Sequence, residues 1–155
     1  MKMSLEQMII EDHNLLRDGM DALASTSIAD VDERLELYPE IFSRLYAHEK
    51  SEQATIHSQM KMYDETKPLA LVAEEQERVA RILAVELKDT TLDDEIWLPK
   101  LLTLQGLLQQ HMSFEEETII PIAKQILDQG TMNRLGIDFE REQKEALKNA
   151  QVIYE

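Results

Sequence analysis

The stretch HMSFEEETIIP, residues 111–121, sets a histidine and a glutamate four residues apart in a segment whose apolar residues recur at spacings of three and four. At about 100° per residue, Leu101, Leu104, Leu108, Met112, Ile119, Ile122 and Ile126 form one stripe of a helix. His111 and Glu115 fall inside that stripe, and Glu116 lies at its edge. A carboxylate on the oily face of a helix is costly without a partner, so Glu115 needs one.

The same pattern recurs upstream. In HEKSE, residues 48–52, His48 and Glu52 share a face with Ile41, Leu45 and Thr55. His13 lines up with Ile9, Leu16, Met20 and Leu23 in a first helix. A third helix has no histidine, yet Glu75 lies between Val72, Val79 and Ile82 on its apolar stripe. Each of four helices therefore aims at least one metal-capable side chain inward. A pair of divalent cations held by imidazoles and bridged by carboxylates accounts for three inward glutamates, because an i, i+4 spacing puts His and Glu on adjacent turns of one face. His57 lies nearly opposite the His48 stripe and is expected on the solvated surface. Glu49 is expected in a surface salt bridge, and the eight methionines as core filler.

Composition bounds the rest. The chain has 155 residues, 43% of them apolar, enough for one domain over 1–155 with a core at 4–128 and a tail helix at 131–150. Sixteen Lys and Arg against 31 Asp and Glu give a net charge of −15, which repels phosphate backbones and anionic lipids, so neither nucleic acid nor membrane is expected as a partner. With no cysteine, any metal must be held by His and carboxylate. No signal-length apolar run opens the sequence and no stretch is long enough to span a bilayer, so a cytoplasmic location is expected.

Only four Gly and four Pro interrupt the chain, so the fold class is all-α. Ser4 with Gln7 predicts a capping-box start for a helix to about Ala24, and Asp30 with Glu33 a second, to about Tyr63, with a bend at Pro39. A third covers about 69–87. A fourth covers about 95–127, with Pro99 in its first turn, a kink at Pro121 and Gly130 as its C′ stop. Short loops between long helices favour an up-down-up-down four-helix bundle with a short C-terminal tail helix.

EDHNLL with His13, HEKSE with His48 and Glu52, and HMSFEEETIIP with His111 and Glu115 together resemble the hemerythrin-like, or HHE cation-binding, domains over about residues 5–127. The resemblance implies a centre of two non-haem iron ions, probed by a small diatomic or peroxide ligand and served by an electron-donor protein. Its metal ligands would be His13, His48, Glu52, Glu75, His111 and Glu115, with Glu52 and Glu115 as bridges. Family activities include oxygen carriage and sensing, iron handling, peroxide or nitric oxide responses and repair of iron centres. The departure is the third helix, where the family supplies one or two histidines and this chain offers Glu75. The ferritin-like E-x-x-H pattern and H-E-x-x-H are both absent. The competing expectation is a metal-free or single-metal bundle acting as a regulatory, partner-binding module.

Overall fold

Ser4 opens the first helix as its sequence predicts: its hydroxyl accepts from the Gln7 N–H while the Gln7 side chain accepts from the Ser4 N–H. The computed structural model describes residues 2–154, so residues 1 and 155 of the expected domain lie outside the described residues. Helix α1 is Leu5–Ala24. Helix α2 starts as Val31–Glu52, widens into a π-helical turn at Gln53–His57 and closes with Ser58–Met60. Helix α3 is Lys67–Lys88. Helix α4 repeats the design of α2: Trp97–Phe114, a π-helical turn at Glu115–Ile119, then Ile120–Ile126. Helix α5 is Gln129–Tyr154. The fold is all-helical, with no strand among the described residues. No described helix is long and apolar enough to cross a membrane.

Three boundaries differ from expectation. Asp30 precedes α2 but does not cap it; its carboxylate instead accepts from the backbone N–H and hydroxyl of Ser27, tightening the preceding loop. Gly130 does not stop α4. The chain turns at Leu127, whose backbone is extended, and Asp128 accepts from the Thr131 N–H to start α5, which takes in Gly130. Helix α5 is longer than the expected tail: its 26 residues pack against α1 and α2 and bury Leu135, Phe139, Ala146 and Ala150.

The inner face of α3 is made of Ala70, Ala73, Glu77, Ala80 and Ala84, with Leu87 at its end. Leu71, Val72, Val79, Ile82 and Val85 are exposed. Small side chains let the α3 backbone come close to its neighbours, and they leave room for the one long polar side chain among them.

The core divides into two apolar clusters. One gathers Leu16, Met20, Leu45, Phe42, Ala80, Leu104 and Leu108; the other gathers Ile9, Ile56, Met60, Ala73, Ile119 and Ala123. Every helix that contributes to both carries buried polar residues between them: His13 between Ile9 and Leu16, Glu52 between Leu45 and Ile56, Glu77 between Ala73 and Ala80, and His111 with Glu115 between Leu108 and Ile119.

At one end, Arg34 ties two loops together. Its buried guanidinium donates to Thr26 Oγ1 at 2.8 Å and to the Leu92 carbonyl at 2.6 Å, and stacks 4.2 Å from the Trp97 ring centre. Replacing Arg34 by Met leaves the Leu92 carbonyl without its donor. The expected loss is about 2–4 kcal/mol, or roughly 5–15 °C in Tm. A loss under about 1 kcal/mol in chemical denaturation would show that the loops are held by other contacts.

Candidate metal centre

Two groups of buried side chains have one ligand atom each within 4.8 Å of all the others: His13, His48, Glu52 and Glu115, and Glu52, Glu77, His111 and Glu115. They share Glu52 and Glu115. All six residues are at most 3% exposed, so the groups lie in the layer between the two apolar clusters.

The ring orientations are fixed from outside. His13 donates Nδ1–H to Glu116 Oε2 at 2.7 Å, His48 donates Nδ1–H to Asp12 Oδ2 at 2.9 Å, and His111 donates Nδ1–H to Gln76 Oε1 at 2.8 Å. Those acceptors set the tautomer, leaving each Nε2 with its lone pair pointing inward. An acceptor on the far nitrogen is the arrangement that orients a metal-binding imidazole and raises its basicity. The outer partners are themselves held: Arg17 donates to Glu116 at 2.7 Å, and Gln143 of α5 donates to Asp12 at 2.7 Å. Phe139 of the same helix meets the His48 ring edge-on, with centroids 6.1 Å apart.

Inside, the atoms crowd, and only some of them are hydrogen-bonded: His13 Nε2 contacts His48 Nε2 and Glu115 Oε1. The Nε2 atoms of His13 and His48 are 3.1 Å apart. His48 Nε2 lies 2.7 Å from Glu52 Oε1, and His111 Nε2 lies 3.1 Å from Glu115 Oε1 and 3.5 Å from Glu77 Oε2. Yet Glu52 Oε1 and Oε2, Glu77 Oε2 and His111 Nε2 have no hydrogen bond within the protein. Lone pairs of imidazole and carboxylate converging at these separations fit a divalent cation, which takes N and O donors together; they do not fit a hydrogen-bonded polar core.

Without a cation the carboxylates cannot all be ionised. Burial, then the Glu115 charge, raises Glu52 well above the usual carboxylate range. Burial also opposes charge on Glu115, but the His111 charge, the facing Glu52 carboxyl and the hydrogen bond from His13 outweigh it and hold Glu115 well below that range. Burial opposes charge on His111 and His48 as well. Nevertheless His111 is raised well above its usual value by Glu115 and Glu77, and His48 is raised by Asp12, Glu115 and Glu77.

The structure brings together His13, His48, Glu52, His111 and Glu115. Glu75 stands apart. Its side chain is 59% exposed and accepts two hydrogen bonds from Arg78, at 2.6 and 2.9 Å. The α3 residue in the site is Glu77, two positions on and about 200° round the helix. The cause is the alanine face: the bulky stripe that selected Glu75 is the outer one.

His57 is also inside, at 0% exposure, with Nε2 3.1 Å from Glu115 Oε2. An unbroken α-helix turns about 900° from His48 to His57, which puts them on opposite faces; one residue absorbed by the π turn brings the angle to about 80°. The same slip in α4 buries Ile120, Ala123 and Leu127 while Ile122 and Ile126 stay half-buried. Glu49 is buried rather than salt-bridged at the surface; burial, then the Glu77 charge, pushes its carboxyl up to about 8, and Oε1 is unpartnered. Asp12, Gln76 and Glu116, the outer partners, each adjoin a residue of the inner groups in sequence. That adjacency was the available signal.

A surface cleft of about 650 Å³ between the start of α1 and α5 is lined by none of the site residues. A smaller one, about 90 Å³, is lined by Asp12 and Gln143, the outer partners of His48.

No curated protein gives a significant sequence match. Among solved structures, the crystal structure of a hemerythrin HHE cation binding domain-containing protein from Mycobacterium kansasii superposes with a TM-score of 0.83 at 15% identity, covering 96% of this chain and 90% of that one. The family model of the hemerythrin HHE cation binding domain matches residues 4–123, a span that includes every residue of the inner groups. The chain belongs to the hemerythrin HHE cation-binding domain family.

Proposed function

We propose that the chain is a single hemerythrin-like domain holding two non-haem iron ions, and that it binds, senses or reduces oxygen, peroxide or nitric oxide, or handles iron. The observation that carries this reading is the set of inward Nε2 atoms, each fixed from outside through Nδ1, facing carboxylates of which Glu52 Oε1 and Oε2 and Glu77 Oε2 have no hydrogen bond. His13, His48, Glu52 and Glu115 would hold one ion; His111, Glu77, Glu52 and Glu115 the other, with Glu52 and Glu115 common to both. Glu49 adds a further unpartnered oxygen near Glu77 and His111. Iron in this site supplies one-electron redox chemistry and Lewis acidity toward a small ligand.

The chain's own residues do the rest. Asp12, Glu116 and Gln76 keep each imidazole in its ligating tautomer, and the apolar clusters on either side exclude water. An electron-donor protein would serve any reductive role. We read the four ligand-bearing helices as an up-down-up-down bundle, with α5 as a cover that reaches the site through Gln143 and Phe139.

The test is metal content. Protein purified without chelator, or loaded anaerobically with ferrous iron, is expected to saturate at two ions per chain, with magnetic coupling between them. Saturation at one uncoupled ion would promote a mononuclear site at His13, His48 and Glu52, and no uptake of any metal would leave the regulatory-module reading.

A further inference from the structure

The geometry points to His57 as a positioning residue of the metal centre: its Nε2–H holds Oε2 of Glu115, leaving Oε1, which faces both His13 and His111, as the oxygen that would be offered to metal. The inference rests on the dinuclear reading above and assigns a role within it to a histidine outside both ligand groups.

Glu115 presents its two oxygens to different neighbours. Oε1 lies 3.2 Å from His13 Nε2 and 3.1 Å from His111 Nε2, so this one atom faces a ligand of each ion position. Oε2 lies 3.1 Å from His57 Nε2, in hydrogen-bond geometry. The His57 ring cannot swing away, because it is fully buried beside Thr55 and Ile56 in the π turn of α2. Its other nitrogen, Nδ1, has no hydrogen bond and faces Glu77 Oε1 at 3.6 Å. Glu74 Oε2, 4.0 Å away, is already held by Lys61.

A free carboxylate between two cations tends to span them with both oxygens. Here a donor occupies one of the two, and the remaining oxygen stands between the His13 side and the His111 side. The π turn is what makes this possible, since without its extra residue His57 would face away from Glu115. The pairing of two π turns is informative: the one in α2 delivers His57, and the one in α4 begins at Glu115, the residue His57 holds. Single π turns inside α-helices occur often at functional sites.

Two substitutions of similar polarity separate this role from simple filling of space. In His57→Gln the amide N–H reaches the place of Nε2; in His57→Asn it reaches the place of Nδ1. Ferrous iron uptake by the full chain is expected to weaken 10- to 100-fold in His57→Asn and by less than about threefold in His57→Gln. The absorption and Mössbauer spectra of the iron-loaded protein should change in the Asn variant and persist in the Gln variant. Equal weakening in both, or none in either, would overturn the proposal while two-ion uptake by the unmodified chain leaves the dinuclear reading standing. An unmodified chain that takes up no metal overturns both.

A measurement on the unmodified protein keeps the question open to disproof even where a variant does not fold. In the zinc-loaded, diamagnetic protein, nitrogen-15 spectra of the histidines should show His57 still protonated at Nε2. A deprotonated, metal-bound Nε2 would make His57 a ligand and sink the positioning role.

Discussion

Stripping metal from the loaded protein with a chelator is expected to lower its Tm by roughly 10–30 °C at pH 8, and by clearly less at pH 6. Ions that bind only the folded ligand set stabilise it by mass action, and two sites filled well above their dissociation constants supply about 3–4 kcal/mol each. The pH dependence comes from the metal-free chain. Burial and the Glu77 charge raise Glu49 from its ordinary 4.5 to about 8, and burial with the Glu115 charge raises Glu52 as well. A carboxyl raised on folding binds its proton more tightly folded than unfolded, so its contribution is complete below about pH 4.5 and is lost as pH climbs toward 8. His48 and His111, also raised, contribute below their ordinary 6.5 and lose that contribution above it, in the same direction. Glu115 is lowered and acts the other way, but only as pH falls below the ordinary carboxylate range. The metal-free chain should therefore lose stability between pH 5 and 8. Cations displace these protons, so the loaded protein should be nearly flat over that range. Melting curves of both forms at pH 6, 7 and 8 test the claim; a gap that narrows toward pH 8 contradicts it.

What could be read from sequence follows the regularity of the helix. His13, His48, Glu52, His111 and Glu115 all lie before or at the point where a π turn begins, so counting 100° per residue from the apolar anchors places them correctly. His57 lies after one, and the count fails by a full residue. Nothing in QATIH, the turn that delivers it, distinguishes it from ordinary helix. Glu77 was hidden for a different reason. Burial on α3 follows closeness of approach rather than side-chain size, so four alanines mark the inner face and the larger residues are left outside. The polar tail was underestimated because its apolar residues, Leu135, Phe139, Ala146 and Ala150, are widely spaced. Its role at the site depends on Gln143 and Phe139, which only the folded chain brings next to Asp12 and His48.

Replacing Glu77 by histidine is expected to raise the reduction potential of the iron-loaded centre by on the order of 100 mV. The second ligand group has one histidine and three carboxylates, against two and two in the first. With Glu52, Glu77 and Glu115 ionised, two ferrous ions carry +4 − 3 = +1; Glu77→His leaves +2. Removing one negative charge about 4 Å from an ion, at an effective dielectric of about 20, disfavours the ferric state by about 4 kcal/mol, or roughly 170 mV for one electron. Glu75→His is the control, because that side chain is exposed and paired with Arg78, and it should leave the potential unchanged. Potentiometric titration followed by visible absorption reads both variants. A shift in Glu75→His equal to that in Glu77→His, or none in Glu77→His, would show that the α3 carboxylate does not set the electronic character of the site. If the shift appears as described, the unmodified centre is tuned toward the oxidised state, which favours reducing peroxide or oxygen, or storing iron, over carrying oxygen reversibly.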